Sequence, residues 1–184
     1  PDGQHLFLYA GDRERSKREI AKFSQRDAEA YDAWEDFWDR CCDIIEPTLM
    51  QPPISLAELA QRFEDAGCVD DWRRLMLLST SDLLGEFFES EYVKAAMAPQ
   101  SLISTMGGPA TPGTPYVYLM HAIGRAIHGR RGVWGYVKGG MGTVTRTLAA
   151  AARDLGVEIR TSVEVGKVLV EQGAATGVVL TSGE

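Results

Sequence analysis

Between Ser24 and Pro47 apolar residues recur at three- and four-residue steps: Ala28, Tyr31, Trp34, Trp38, Cys41 and Ile45. Asp32, Glu35, Asp36, Asp39 and Asp43 fill much of the remaining circumference. That spacing predicts an amphipathic helix of about five turns. Ser24 is placed to N-cap it, with Asp27 in the first turn, and Pro47 ends it. A stripe this long and this aromatic has to be buried, so its neighbours are expected to form a helical layer with it.

The flanking sequence agrees. "HLFLY" (5–9), between the turn-like "PDGQ" and "AGD", reads as a short strand, and "SKREIAKF" as a short helix. "SLAE" (55–58) is a capping box, and the helix it opens carries Leu56, Leu59, Ala60 and Phe63 on one face before stopping near Gly67. Trp72, Leu75 and Met76 mark another helix; Ser81-Asp82 and Ser90-Glu91 each begin a further short one. Residues 99–115 are dense in glycine and proline yet keep Leu102, Ile103 and Met106, which reads as a rigid loop pressed against the layer rather than a solvated linker. Pro115 suits the first turn of the next helix, which carries Tyr116, Met120, Ile123 and Ile127 on one side and is expected to end near Gly129.

The texture changes after residue 131. "GVWGYV" (132–137) reads as a strand, Gly139-Gly140-Met141-Gly142 as a turn, and Met141, Val144, Leu148, Ala152 and Leu155 as the buried face of a helix ended by Gly156. "VEIRT" reads as a strand, and "VEVGKVLVE" and "TGVVLTS", joined by "QGAA", as an antiparallel hairpin with a bulge near Gly166. The fold class is therefore α+β: a mostly helical part with a small sheet, then a strand–helix–hairpin piece. A glycine turn opening a helix can hold an anion, because the first backbone N–H groups are unpaired and the helix dipole favours negative charge. Gly140-Met-Gly142 matches only half of a dinucleotide fingerprint, since Thr145 stands at the third glycine position. Taken alone, the residues favour a plain tight turn.

The formal charge of −7 and pI near 5.0 argue against nucleic acid as a partner. Cys41, Cys42 and Cys68 have no metal-ligand spacing, and a sparse, odd count fits packed thiols in a reducing, cytoplasmic setting. No metal site is expected. The sequence has no signal-peptide features and no apolar run long enough to span a bilayer. It begins at Pro1 without an initiator Met and stops at Gly183-Glu184 just after an expected strand, which reads as a piece of a longer protein.

The run "GVWGYVKGGMGTVTRTLAAAARDLGVEIRTSVEVGKVLVEQGAATGVVLTSGE", with "PATPGTPYVYLMHAIG" upstream and "AKFSQRDAEAY" before it, resembles phytoene-desaturase and carotenoid-dehydrogenase-related proteins. These are FAD-dependent oxidoreductases of the two-domain amine-oxidase-like class. The resemblance covers nearly the whole chain and is most specific over 106–184. It implies that residues 1–138 form a substrate-binding cap region and 139–184 a partial FAD-binding segment. The class's N-terminal G-x-G-x-x-G motif has no counterpart here. By resemblance, Gly139, Gly140 and Met141 would approach the flavin and Val165 would offer backbone hydrogen bonds to the adenine. FAD would belong to the full-length parent and not be retained by this fragment alone, which would be inactive.

Flavin chemistry needs few reactive side chains, so aromatic walls matter more and no catalytic residue is assigned. Tyr116, Tyr118, Trp134 and Tyr136 each read singly as core packing and together as candidates for a substrate wall, with His121 beside them. His121 and His128 lie seven apart, on nearly one face of the expected helix. The expected partners are an apolar or amine-like small molecule and the missing FAD-domain portion of the same chain, with self-association through exposed apolar surface. Two other readings stay open: a non-catalytic helical interaction module, and a small self-sufficient nucleotide binder built on 133–161.

Overall fold

The computed structural model describes residues 5–125, 129 and 131–184. The expected turn at 1–4, and the part of the expected helix carrying Ile127 and His128, lie outside the described residues. The chain divides into two compact units, Pro1–Gly135 and Tyr136–Glu184. The structure is α+β.

The first unit is built on α2 (Gln25–Ile45), which is the helix that the aromatic stripe predicts. The Ser24 hydroxyl accepts from the Asp27 backbone N–H, and a short 3-10 turn, Glu46–Thr48, follows the helix at Pro47. Packed around α2 are α1 (Arg13–Ile20), α3 (Leu56–Asp65), α4 (Val69–Leu77), α5 (Thr80–Phe87), α6 (Glu91–Met97) and α7 (Thr114–Ala122). Trp34 is fully buried and meets Trp38, Phe87, Phe88 and Tyr118 edge-on, with ring centroids 5.1–5.5 Å apart. Edge-to-face contact sets the negative ring face against a positive ring edge, which adds about 0.5–1.5 kcal/mol per pair beyond area burial. Ile20, Phe37, Phe63, Leu75, Leu83, Val93, Met97 and Leu119 complete this core.

Polar groups fix how the helices meet. Asp27 is fully buried, and its two carboxylate oxygens accept from the backbone N–H groups of Glu89 (2.8 Å) and Ser90 (3.0 Å), tying the start of α2 to the start of α6. The guanidinium of Arg40 donates to buried Asp71 at 2.7 Å, joining α2 to α4. The capping box that is complete in both directions is Ser79/Asp82 on α5, so the cap lies two residues earlier than the Ser81 reading. At α3 the Ser55 hydroxyl accepts from the Glu58 N–H.

Loop 99–115 is held as expected along its second half. Ser81 N–H donates to Pro109 O at 2.8 Å, Gly113 N–H to Leu78 O at 2.9 Å, and Thr80 N–H to Thr114 Oγ1 at 2.9 Å. Ile103 and Met106, however, point outward. Pro115 sits in the first turn of α7, which ends at Ala122, several residues before Gly129.

The second unit contains α8 (Gly142–Asp154) and the hairpin of β1 (Val165–Glu171) and β2 (Ala174–Leu180). Gln172 and Gly173, at φ of 49° and 81°, make the two-residue turn, the left-handed pair that matches strand twist. The register shifts between Val165 and Lys167, where the bulge at Gly166 is expected, and again between Leu169 and Val170. Gly156, at φ 82°, ends α8, with the Val157 N–H reaching back to Ala152 O.

Three expected strands form no ladder. At 5–9 the backbone is served by side chains: Tyr9 N–H donates to Ser16 Oγ at 2.8 Å and Phe7 N–H to Glu19 at 3.4 Å. Residues 132–137 and 157–161 find no partner strand among those described, and without one their backbone groups cannot form a sheet. The apolar face of α8 is also not buried: Leu148 is 65 % exposed and Leu155 84 %.

Candidate functional site

The first unit carries a cavity of about 720 Å³ that opens to solvent. One wall is a stripe of α2, where Tyr31, Glu35, Trp38 and Cys42 follow one another at helical spacing. Residues 8–14 form the side toward α1, α7 supplies Tyr118 and His121, and the segment after it supplies Arg131 and Trp134. Trp38 and Tyr118 stack face to face, with centroids 4.3 Å apart and planes at 9°. Trp134 stacks on His121 at 5.6 Å.

Arginines tie both sides of the cavity to the acidic stripe of α2. Arg13 donates to Asp36 at 2.6 Å and Asp39 at 2.9 Å. Arg131 donates to Asp43 at 2.7 Å and Glu46 at 2.6 Å, and Arg125 donates to the same Glu46 at 2.8 Å. Burial works against the Arg131 charge, but hydrogen bonds to Glu46 and Asp43 outweigh it and raise its pKa. The hydrogen bonds from Arg131, then Arg125, hold the Glu46 carboxyl below the usual carboxylate range. Asp36, Asp39, Asp43 and Glu46 thus anchor the arginines at the cavity's walls.

Inside, Glu35 is half-buried, and burial pushes its carboxyl above the usual range against the opposing effects of a Tyr31 hydrogen bond and the Arg13 charge. Burial raises the Tyr31 and Tyr118 phenols too, with the Glu35 charge adding to it. The Cys42 thiol is pushed up to about 12, chiefly by burial, so it lines the cavity as a neutral group. Cys41 and Cys42 are both buried and free. No cluster of metal ligands occurs among the described residues.

His121 Nδ1 lies 2.8 Å from Val117 O. A carbonyl can only accept, so the neutral ring carries its proton on Nδ1 and leaves Nε2 as an acceptor. Of the expected substrate wall, the structure thus brings together Tyr118, His121 and Trp134. Tyr116 packs against the core instead. Tyr136 belongs to the second unit and is 95 % exposed. Tyr31, Glu35 and Trp38 complete the cavity; their signal was the helical spacing itself, which reads equally well as core and surface.

In the second unit Gly139 and Gly140 take φ of 84° and 85°, conformations that disfavour a side chain. No side chain caps α8 at Met141. A Cβ at Gly140 would meet nothing within 4 Å, so the turn is open on that side. Val165 begins β1 and is 51 % exposed.

An α+β chain with an aromatic cavity and an open glycine turn is compatible with many binding proteins, and comparison with known proteins narrows the field. No family model matches the chain. Over 96 % of its length it is 32 % identical to pyridine nucleotide-disulfide oxidoreductase domain-containing protein 2 of Rattus norvegicus, covering 34 % of that protein. It is 24 % identical over 98 % of its length to the lycopene-forming phytoene desaturase of a Paracoccus species. It is 25 % identical over 99 % of its length to the 4,4'-diapolycopene-forming 4,4'-diapophytoene desaturase of a Methylomonas species. The chain is homologous to these proteins and spans about a third of the length of the curated relatives it matches. No described helix is long and apolar enough to cross a membrane.

Proposed function

We propose that the chain is part of an FAD-dependent oxidoreductase acting on an apolar or amine-like small molecule. In this reading residues 1–138 form the substrate-binding region and 139–184 contribute to the flavin-binding region. The observation that carries it is the match along nearly the whole chain to an oxidoreductase and to two desaturases.

The residues present fit a backbone-held cofactor. Gly139 and Gly140 supply left-handed backbone, open to the side at Gly140, and the uncapped N-terminus of α8 offers N–H donors beside Met141. Val165 would contribute its backbone groups. The flavin, when bound, supplies the acceptor for a hydride equivalent. The chain's own residues do the rest: Tyr118, Trp38 and Trp134 exclude water, and Glu35 and His121 orient polar atoms of the substrate. The shorter chain alone is expected to bind FAD poorly, and the other partner it needs is the remainder of a polypeptide of its relatives' length.

The test is to purify a polypeptide of the relatives' full length that carries this chain, and to record its visible flavin spectrum before and after anaerobic substrate addition. Bound flavin that bleaches with an apolar or amine substrate is expected. A colourless protein that does not take up FAD would overturn the assignment.

A further inference from the structure

The cavity holds an acidic group, Glu35, that is neither paired with a cation nor used as a helix cap. Arg13 is committed to Asp36 and Asp39, Arg131 to Asp43 and Glu46, Glu14 to Lys17, and the Asp12 carboxylate caps α1. Among the described residues no Lys or Arg lies within 4.0 Å of the Glu35 carboxylate, and Arg13 acts on it only through space. Tyr31, Trp38, Tyr118 and Trp134 share the cavity with it. His121 shares it too, with Nε2 left as an acceptor because Nδ1 is spent on Val117 O. Glu35 and the Nε2 of the neutral His121 ring are therefore acceptors in a largely aromatic cavity, which they share with the phenol hydroxyls of Tyr31 and Tyr118 and the amide of Gln100, groups able to donate as well as accept.

We propose that this cavity binds the ammonium end of an amine whose remaining body is apolar, with Glu35 as counter-ion, His121 Nε2 as a second acceptor and the aromatic rings as walls. This rests on the oxidoreductase reading for its role as a substrate site, and it narrows "apolar or amine-like" to the amine. An ammonium supplies both the N–H donors and the charge, and ring faces attract a cation. A pure hydrocarbon leaves the half-buried Glu35 with the Tyr31 hydrogen bond but no counter-ion, and a carboxylate ligand would face four acidic side chains of the wall: Asp12, Glu14, Glu35 and Asp39. The indole N–H of Trp38 is buried and has no acceptor among the described residues.

The experiment is calorimetric titration of the protein near neutral pH with 2-phenylethylamine, its neutral isostere 2-phenylethanol, and ethylbenzene. The amine is expected to bind tightest. Glu35→Gln, which keeps shape and removes the charge, is expected to weaken the amine about tenfold while leaving the alcohol unchanged. Retained alcohol binding also shows that the variant is folded, and Glu35→Asp should restore part of the loss. The proposal is overturned if no probe binds, if the alcohol or hydrocarbon matches the amine, or if Glu35→Gln weakens all ligands alike. Hydrocarbon preference in a protein that still forms a flavoenzyme overturns only the amine site. Amine binding in a protein that takes up no flavin overturns only the oxidoreductase reading.

Discussion

Replacing Asp27 by Ala is the most informative structural perturbation, because one buried side chain closes two part-buried contacts across the helical layer. Its oxygens accept from the N–H groups of Glu89 and Ser90 at 2.8 and 3.0 Å, and the residue is fully buried. A hydrogen bond to a charged group contributes about 1.5–3 kcal/mol, and the part-buried N–H groups of Glu89 and Ser90 lose that acceptor in the Ala variant. Two such bonds in one junction do not add fully, so the expected loss is about 3–5 kcal/mol. For a chain of this size each kcal/mol lowers Tm by about 2–4 °C, which gives a fall of about 10 °C. Asp27→Asn keeps one acceptor but turns an NH₂ group toward the second N–H, so its loss should be smaller but still clear. Thermal unfolding followed by circular dichroism, with urea unfolding as a check, measures both. Because Tyr31 and Glu35 follow Asp27 at one and two turns along α2, the Ala variant should also loosen the cavity wall, seen as faster hydrogen exchange at 27–35. A Tm fall below about 2 °C for Asp27→Ala would show that this junction does not hold the layer together.

Other outcomes follow from the same geometry. Because the Glu35 carboxyl is raised by burial, the unfolded chain ionises there first as pH rises, binds fewer protons than the folded chain, and gains on it. Glu35→Gln should therefore gain in stability relative to the parent as pH climbs from the ordinary carboxylate range through the raised value, and the two should converge below it; urea midpoints across pH test this. Arg131→Met removes the link to Asp43 and Glu46, partners that are partly solvent-exposed, so the loss should be about 1–2 kcal/mol by thermal unfolding and should shrink in high salt. Gly140→Ala forces a Cβ onto a φ of 85° in open space, so about 1–2 kcal/mol of backbone strain should appear locally as faster exchange at 139–145, with the first unit unchanged.

Much of this fold is legible in the sequence where one local rule decides the outcome. The aromatic stripe and Ser24 define α2, Pro115 the first turn of α7, and the phase slip at Gly166 the bulge in β1. Segments 5–9, 132–137 and 157–161 mislead because β-like composition records only that a residue suits a pleated surface. Whether a ladder forms depends on a partner elsewhere, and at 5–9 Ser16 and Glu19 satisfy backbone groups instead. The α8 stripe has helical periodicity, but periodicity says which face is apolar and not what covers it. At the cavity, Tyr118, His121 and Trp134 are recognisable as aromatic residues near a glycine-rich stretch. Glu35 is hidden within an acidic run, and only the packing of α1 and α7 against α2 separates it from neighbours that remain in solvent or pair with arginine.

The flavin assignment is tested most directly at the glycine turn. Hydrogen exchange of residues 139–145 should be measured with and without FAD, in a polypeptide of the relatives' full length that carries this chain. Bound flavin with markedly slowed exchange at Gly139, Gly140 and Met141 is the predicted result. Bound flavin with exchange there unchanged would place the cofactor elsewhere and contradict the account.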